Sequence, residues 1–293
     1  MMAAMRFNKV KTQSYYADVF QNFKRHKLAM VSLCAIIVIG LVVVILPPIL
    51  HLDPYMASQG KAYALPSVVF PLGLDALGRD NLARLLYGGR TSMLVGLLST
   101  MISILIGVPL GLCAGYFRGW SESLVMRLVD IFMCFPSIIL ILVLVSVIGP
   151  SVWSVTLIIG VIGWPQFARI VHGSVLSICA KEYVEGAQAI GGSHFRILKD
   201  YILPNSISPV LVTITYRTAG AILQEASLSY LGMGVQPPAA SLGNILNSAQ
   251  SITTLATRPW YWMPPALMLV LIVLSINFIG DGVRDALDPK MEA

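Results

Sequence analysis

Along this chain, uncharged apolar runs long enough to cross a bilayer alternate with shorter polar stretches. Leu28–Leu46 runs for 19 residues without a charge, Thr91–Gly115 for 25 and Ile131–Ile148 for 18. Val152–Ala168 and Pro264–Gly280 have 17 each, and Ile207–Gln224 has 18 with one charge, Arg217. The hydrocarbon core takes about 20 helical residues, with a range of about 17 to 25. Backbone polar groups find no water there, so the six runs predict six helices. Pro109, Pro136 and Pro165 lie inside three of them and are expected as kinks held by neighbouring helices, not as breaks. The first run exceeds a signal-peptide core and ends in Leu46-Pro47-Pro48, not in small residues, which predicts a retained anchor.

Composition agrees. The 293 residues are 56% hydrophobic and only 12% charged, against about 25% charged in an average soluble domain. A soluble enzyme, a disordered chain and a secreted disulfide scaffold are all poor readings of such a chain. The fold class is an all-α integral membrane protein with six transmembrane helices.

The net charge of +6 is a matter of sidedness. With the N-terminus inside, the inner segments hold fourteen basic residues, from Arg6, Lys9 and Lys11 to Arg284 and Lys290. The outer segments hold five, Lys61, Arg79, Arg84, Arg90 and Arg258, and Arg217 stays within a span. Basic residues favour the cytoplasmic side, so a multi-pass protein of the cell (inner or plasma) membrane with both termini cytoplasmic is expected. Nucleic acid binding loses its support. Cys34, Cys113, Cys134 and Cys179 are scattered small hydrophobes, and His26, His51, His172 and His194 follow no metal-ligand spacing. His172 and Cys179, seven apart, could share a helix face, but two residues make no metal site.

Two connections are too long to be plain loops. His51–Arg90 is external and ends in the amphipathic stretch LARLLYGGR. Ile170–Ser206, 37 residues, is cytoplasmic and much more polar than its surroundings. Within it Tyr183, Ala187 and Ile190 fall at helical spacing, Gly191-Gly192 breaks the helix, and Ser193 can cap a second one. Phe195, Leu198 and Ile202 would share one side of that second helix, and Pro204 would end it. An elbow lying under the membrane results. Patterning alone is equally compatible with an elbow packed on its own bundle and with one that docks a partner.

Here the residues resemble a family. Glu185-Gly186-Ala187, then Gly191, then Leu203-Pro204 is similar to the EAA loop of ABC-importer permeases. Gly186 stands for the first Ala of that pattern and Tyr201 for its Ile. Leu72-Gly73-Leu74-Asp75, Gly78-Arg79-Asp80, Arg84, Tyr87-Gly88 and Arg90 resemble the segment before the second span in dipeptide, oligopeptide and nickel permeases. Leu74 and Ala83 replace the usual Thr and Ser. Gly232-Met233-Gly234 with Gln236-Pro237-Pro238, and Gly280-Asp281-Gly282 through Leu287-Asp288-Pro289, match two further stretches. Together these point to the C-type subunit of a permease pair.

The resemblance implies a type I ABC importer permease fold. It divides the chain into a cytoplasmic segment 1–27, a first transmembrane helix 28–46 and an external loop 47–90. A five-helix core 91–281 follows, with its coupling loop at 170–206, and then a cytoplasmic tail 282–293. It also implies a homologous second permease, two ATP-binding subunits beneath and an extracytoplasmic substrate-binding protein above. The chain would hold no catalytic residue and no cofactor, and ATP and Mg would sit in the partner subunits. In the family the elbow docks in a cleft of the ATPase. Glu185 would then supply a docking charge, Ala187 close approach, Gly191 the turn and Pro204 a stiff entry to the next span. No GxxxxGK[ST] occurs in the chain.

Arg217 and Glu225 remain as charges in or near a span, which are costly in hydrocarbon. Eight residues apart, they fall on roughly one helix face. The reading is either a contact with the pathway or partner permease, or snorkelling from a span end. Asp130 reads as an anion at a helix N-terminus. Gly107, Gly111 and Gly115 form a small-residue face suited to close helix contact. An ion-coupled secondary transporter would show ionisable residues in several spans and inverted repeats, and neither is evident. A membrane scaffold is a third reading. Di- or oligopeptides are the expected cargo, with nickel or a metal chelate as the alternative.

Overall fold

The computed structural model describes residues 15–287. Lys9, Lys290 and the Asp288-Pro289 pair of the C-terminal motif, among others, lie outside them. Twelve helices follow one another among the described residues. They are α1 (Tyr15–Arg25), α2 (Lys27–Ile49), α3 (Asn81–Phe117), α4 (Gly119–Cys134), α5 (Ser137–Ile148) and α6 (Val152–Cys179). After them come α7 (Glu182–Ala189), α8 (His194–Ile197), α9 (Leu203–Tyr230), α10 (Leu242–Asn247), α11 (Ile252–Thr257) and α12 (Pro259–Leu287). Apart from a bridge between Leu74 and Asp80, the described residues contain no strand.

Five of these helices, α2, α3, α6, α9 and α12, are long and apolar enough to span a membrane. Where Ile131–Ile148 is expected as one span, α4 and α5 instead meet at a bend of 87°. Pro136 is therefore a break and not a kink. A proline has no N–H to donate and biases the residue before it to extended backbone; Phe135 adopts φ −95°, ψ 139°. Pro109 and Pro165 do stay inside continuous helices.

The centre of the bundle is the packing of α3 on α6. A Cβ on Gly107 would lie 2.5 Å from the Trp164 carbonyl oxygen, and one on Gly111 2.6 Å from that of Ala168. One on Gly115 would lie 2.7 Å from Val175 Cβ. The glycine face is thus spent within the chain, letting two backbones approach where lipid gives no hydrophobic drive between helices. α9 packs on α3, α6 and α12, and α2 lies against α12.

Two caps close the bundle. Residues 50–80 fold over one end around Asp75, which accepts from Leu77 N–H at 2.8 Å, Arg79 N–H at 2.9 Å and Arg79 Nε at 2.7 Å. Asp80 caps α3 through Leu82 N–H at 2.9 Å, and burial pushes its carboxyl above the usual range while that bond pulls it down. The stretch LARLLYGGR is the first part of α3, not a separate loop helix. At the other end His26 caps α2 by accepting from Ala29 N–H, and its Nε2 lies 3.5 Å from Asp285. Both ends of the described chain therefore share one side of the bundle.

Candidate functional site

The elbow begins where α6 ends at Cys179 and lies beside the lower turns of α3, where Tyr116 Oη is 2.8 Å from His194 Nδ1. α7 is fixed by Val184 and Ala187, which are buried against Val175, Ile178, Ile197 and Ile202. The buried spacing is i, i+3, and the expected stripe of Tyr183, Ala187 and Ile190 does not form. Tyr183 is 43% exposed and Ile190, which lies past the end of α7, 87%; Val184 joins Ala187 on the inward face in place of Tyr183. Ala187 accordingly faces the chain's own helices and is not free to approach a partner.

Gly191 turns the chain with φ +81°, a conformation that costs other residues strain, and no atom lies within 4 Å of a Cβ placed there. Ser193 accepts from Arg196 N–H at 3.4 Å and starts α8. Phe195, expected with Leu198 and Ile202 on a packed side, is 76% exposed, and Ile197 takes the buried place. Pro204 does not end the helix. A wide π turn, Leu198–Ile202, passes straight into α9 with Pro204 in its first turn. There the missing N–H costs little, and the wider turn relieves the ring's clash with the preceding carbonyl. The elbow presents Tyr183, Glu185, Gly186, Ile190, Gly191 and Phe195 outward, and Glu185 makes no ion pair among the described residues.

Arg217 and Glu225 do not pair. Glu225 is fully buried and accepts from Ser92 Oγ at 2.6 Å and Ser229 Oγ at 2.7 Å. Enclosed in this way, it cannot itself touch a pathway or a partner. Arg217 crosses α6, donating to the Ile159 carbonyl at 3.1 Å and to Gln224 Oε1 at 3.3 Å. It borders a cleft of about 320 Å³ with Ser137, Gly163 and Gln166.

Other pairs were invisible in the sequence. Asp130 sits near the C-terminal end of α4, not at a helix N-terminus, and pairs with Arg169 of α6. His172 meets Glu122 of α4 at 2.9 Å. Ser92 and Ser229, which hold Glu225, and Ser137 and Gln166, which border the cleft beside Arg217, were missed by sequence reasoning, since a lone hydroxyl or amide in an apolar run carries no pattern.

A bundle of long apolar helices around α3, α6 and α9, with a broken span and a polar elbow at one end, defines a membrane permease. The chain belongs to the family described as binding-protein-dependent transport system inner membrane component, which matches residues 107–293. Residues 14–66 match the N-terminal TM domain of oligopeptide transport permease C.

Relatives agree over most of the length. The dipeptide transport system permease protein DppC of Alkalihalophilus pseudofirmus is 36% identical over 281 residues, 96% of this chain and 91% of that protein. A Brucella ovis protein named as a peptide permease is 42% identical over 242 residues, 82% and 80% of the two chains. The glutathione transport system permease protein GsiD of Pectobacterium atrosepticum is 38% identical over 247 residues, 83% and 81%. In fold the chain is similar to the MetNI methionine ABC transporter in an inward facing conformation. That match has a TM-score of 0.60 and 22% identity, over 71% of this chain and 98% of the other.

Proposed function

We propose that this chain is the permease subunit of an ATP-driven importer of di- or oligopeptides, forming the pathway with a second, homologous permease. The observation that carries the reading is the end-to-end similarity to a protein named as a dipeptide permease, over 96% of the chain. The glutathione-named relative favours a short peptide such as glutathione as a second cargo. With family membership on the page, an ion-coupled secondary transporter and a scaffold fall away.

The mechanism follows from the elbow. Its exposed face, Ile190, Gly191 and Phe195 with Glu185 and Gly186 beside them, would seat in a cytoplasmic ATP-binding subunit, two of which serve the permease pair. Closure of the ATPases on ATP and Mg would push the elbow, whose Val184 and Ala187 share an apolar cluster with Val175 and Ile178 of α6 and with Ile202 just ahead of α9, and the push would pass to those helices through that cluster. A binding protein would present the peptide at the 51–80 side. Both termini would then be cytoplasmic, on the elbow's side of the membrane. The 170–206 segment is read as the coupling loop and 91–281 as the transport core.

The test is uptake of a labelled dipeptide in a strain lacking the chain, complemented by wild type or Gly191→Arg. Wild type restores uptake that stops on ATP depletion. The Gly191→Arg chain reaches the membrane but loses co-purifying ATPases and at least about tenfold of uptake. Assembly and uptake both intact in that variant would sink the docking assignment; wild-type uptake insensitive to ATP would sink the importer.

A further inference from the structure

We infer that the cleft beside Arg217 is a carboxylate site that takes the C-terminal carboxylate of a peptide in transit; this rests on the peptide-importer reading. The cleft lies where the α4–α5 span is broken and is bordered by Arg217, Ser137, Gln166 and Gly163 with the aromatic floor of Phe132 and Phe135. No Asp or Glu lines it.

A guanidinium offers five N–H donors. Here Nη2 donates to the Ile159 carbonyl and Nη1 to Gln224 Oε1, and Nε is buried against Gly163, so the donors left for a ligand are the second hydrogens of Nη1 and Nη2. Arg217 forms no ion pair among those residues either. Its charge stands near the middle of α9, a 28-residue helix, where a counter-ion is worth most.

A second, independent feature points into the same space. α5 begins at Ser137, and no side chain caps its first turn. Ile139 N–H and Leu140 N–H turn back to the Pro136 carbonyl at 3.0 and 3.3 Å, while the Ser137 and Ile138 N–H groups, at the positive end of the helix dipole, have no acceptor among the described residues. Ser137 Oγ accepts from Gln224 Nε2 at 3.3 Å, which leaves its own hydrogen free to donate, and the Gln166 amide makes no bond among the described residues. Irregular backbone at membrane depth is tolerated where it lines a cavity, and half-helix N-termini facing anionic groups are a recurrent way of building such a site. The charged side chain lining the cleft is the Arg217 guanidinium, with Ser137 and the Gln166 amide able to add donors beside it, so the complementary ligand is an anion that accepts bidentately. A carboxylate meets that description, and at 320 Å³ the cleft suits the last residue of a peptide and not a long chain.

Gly163 permits the arrangement. A Cβ there would lie 2.7 Å from Arg217 Nε, so only glycine lets the side chain cross α6.

The experiment uses the assembled transporter, this chain with its partner permease and ATPases, in phosphatidylcholine nanodiscs. Binding of dialanine and of dialanine amide is measured by equilibrium dialysis. Wild type should bind the free acid about 10- to 100-fold tighter than the amide. Arg217→Gln should bind the two alike, Arg217→Lys should keep part of the preference, and Ser137→Ala should narrow it about 2- to 5-fold. If Arg217→Gln fails to assemble, the Lys and Ala variants carry the test by themselves. Equal binding of acid and amide by wild type, or an unchanged preference in the variants, overturns the carboxylate site and leaves the peptide reading standing. Binding of neither compound by a transporter that hydrolyses ATP overturns the carboxylate site, and the peptide reading is then decided by the dipeptide uptake test. Selective loss of the second permease from Arg217→Gln makes Arg217 an interface residue and overturns the site. If added phosphatidylglycerol competes the acid away, the cleft holds a lipid headgroup, and the substrate assignment fails.

Discussion

Ser92 Oγ on α3 donates to Glu225 Oε2 on α9 at 2.6 Å, and the same oxygen accepts from the Leu242 N–H at 3.3 Å. One hydroxyl thus ties two spans to the connection that precedes α12. On the other side of the carboxylate, Ser229 donates to Oε1 at 2.7 Å and accepts from Val235 N–H at 2.9 Å. Glu225→Ala would leave two buried hydroxyls without an acceptor, at a cost of about 2–4 kcal/mol. Glu225→Gln retains an acceptor oxygen and should cost less. Melting of the detergent-solubilised chain distinguishes the two, and an unchanged midpoint for the alanine variant would show that the tether contributes nothing.

Gly111→Leu should fail for a different reason. The new side chain would start 2.6 Å from the Ala168 carbonyl and 2.8 Å from Val171 Cβ, with backbone on the far side. Overpacking of this kind costs about 1–3 kcal/mol, and more where backbone must move. Fluorescence-detected size exclusion should show loss of the monodisperse peak. Gly173→Leu, where a Cβ meets nothing within 4 Å, should keep it.

Asp75 stands between two buried arginines, with Arg79 Nε at 2.7 Å and Arg84 Nε at 3.6 Å. Asp75→Asn removes the only negative charge among the three and also weakens the turn held by Leu77 and Arg79 N–H. Breaking one partner of a buried pair costs about 3–5 kcal/mol. The 51–80 cap should then open to protease added from its own side of the membrane, while the spans stay intact. Resistance equal to wild type would contradict this.

Phe195→Asp separates folding from coupling. The ring is 76% exposed, so chain stability should change by no more than about 0.5 kcal/mol. If the elbow docks the ATPases, transported peptide per ATP should fall at least about tenfold. Normal coupling in that variant would move the docking face elsewhere on the elbow.

Much of the candidate site could be read in order along the chain. The turn at Gly191 and the cap at Ser193 are local, since a positive φ and a hydroxyl ahead of a helix act over four residues. Which face of α7 turns inward is not local. Tyr183 and Val184 are both apolar neighbours, and only the position of Val175 and Ile197 decides that Val184 is buried.

The sequence by itself determined five of the six spans, the polar elbow and the family resemblance. Each rests on contiguous residues: a run of about 20 apolar side chains has to be helical in hydrocarbon, and motif residues keep their spacing however the chain packs. Only the tertiary structure decided that Pro136 breaks a span by 87°. The same proline signal at Pro109 and Pro165 is absorbed within helices, because each of those sits in a helix held along its length by the α3–α6 contact. It also decided that Arg217 and Glu225 part company. Two charges eight residues apart share a face by arithmetic, yet Glu225 meets the Ser92 hydroxyl of α3, while Gly163 of α6 leaves Arg217 room to turn toward the cleft. Those partners lie 133 and 54 residues away along the chain, and a pairing across such distances is fixed by how helices pack and not by any local pattern.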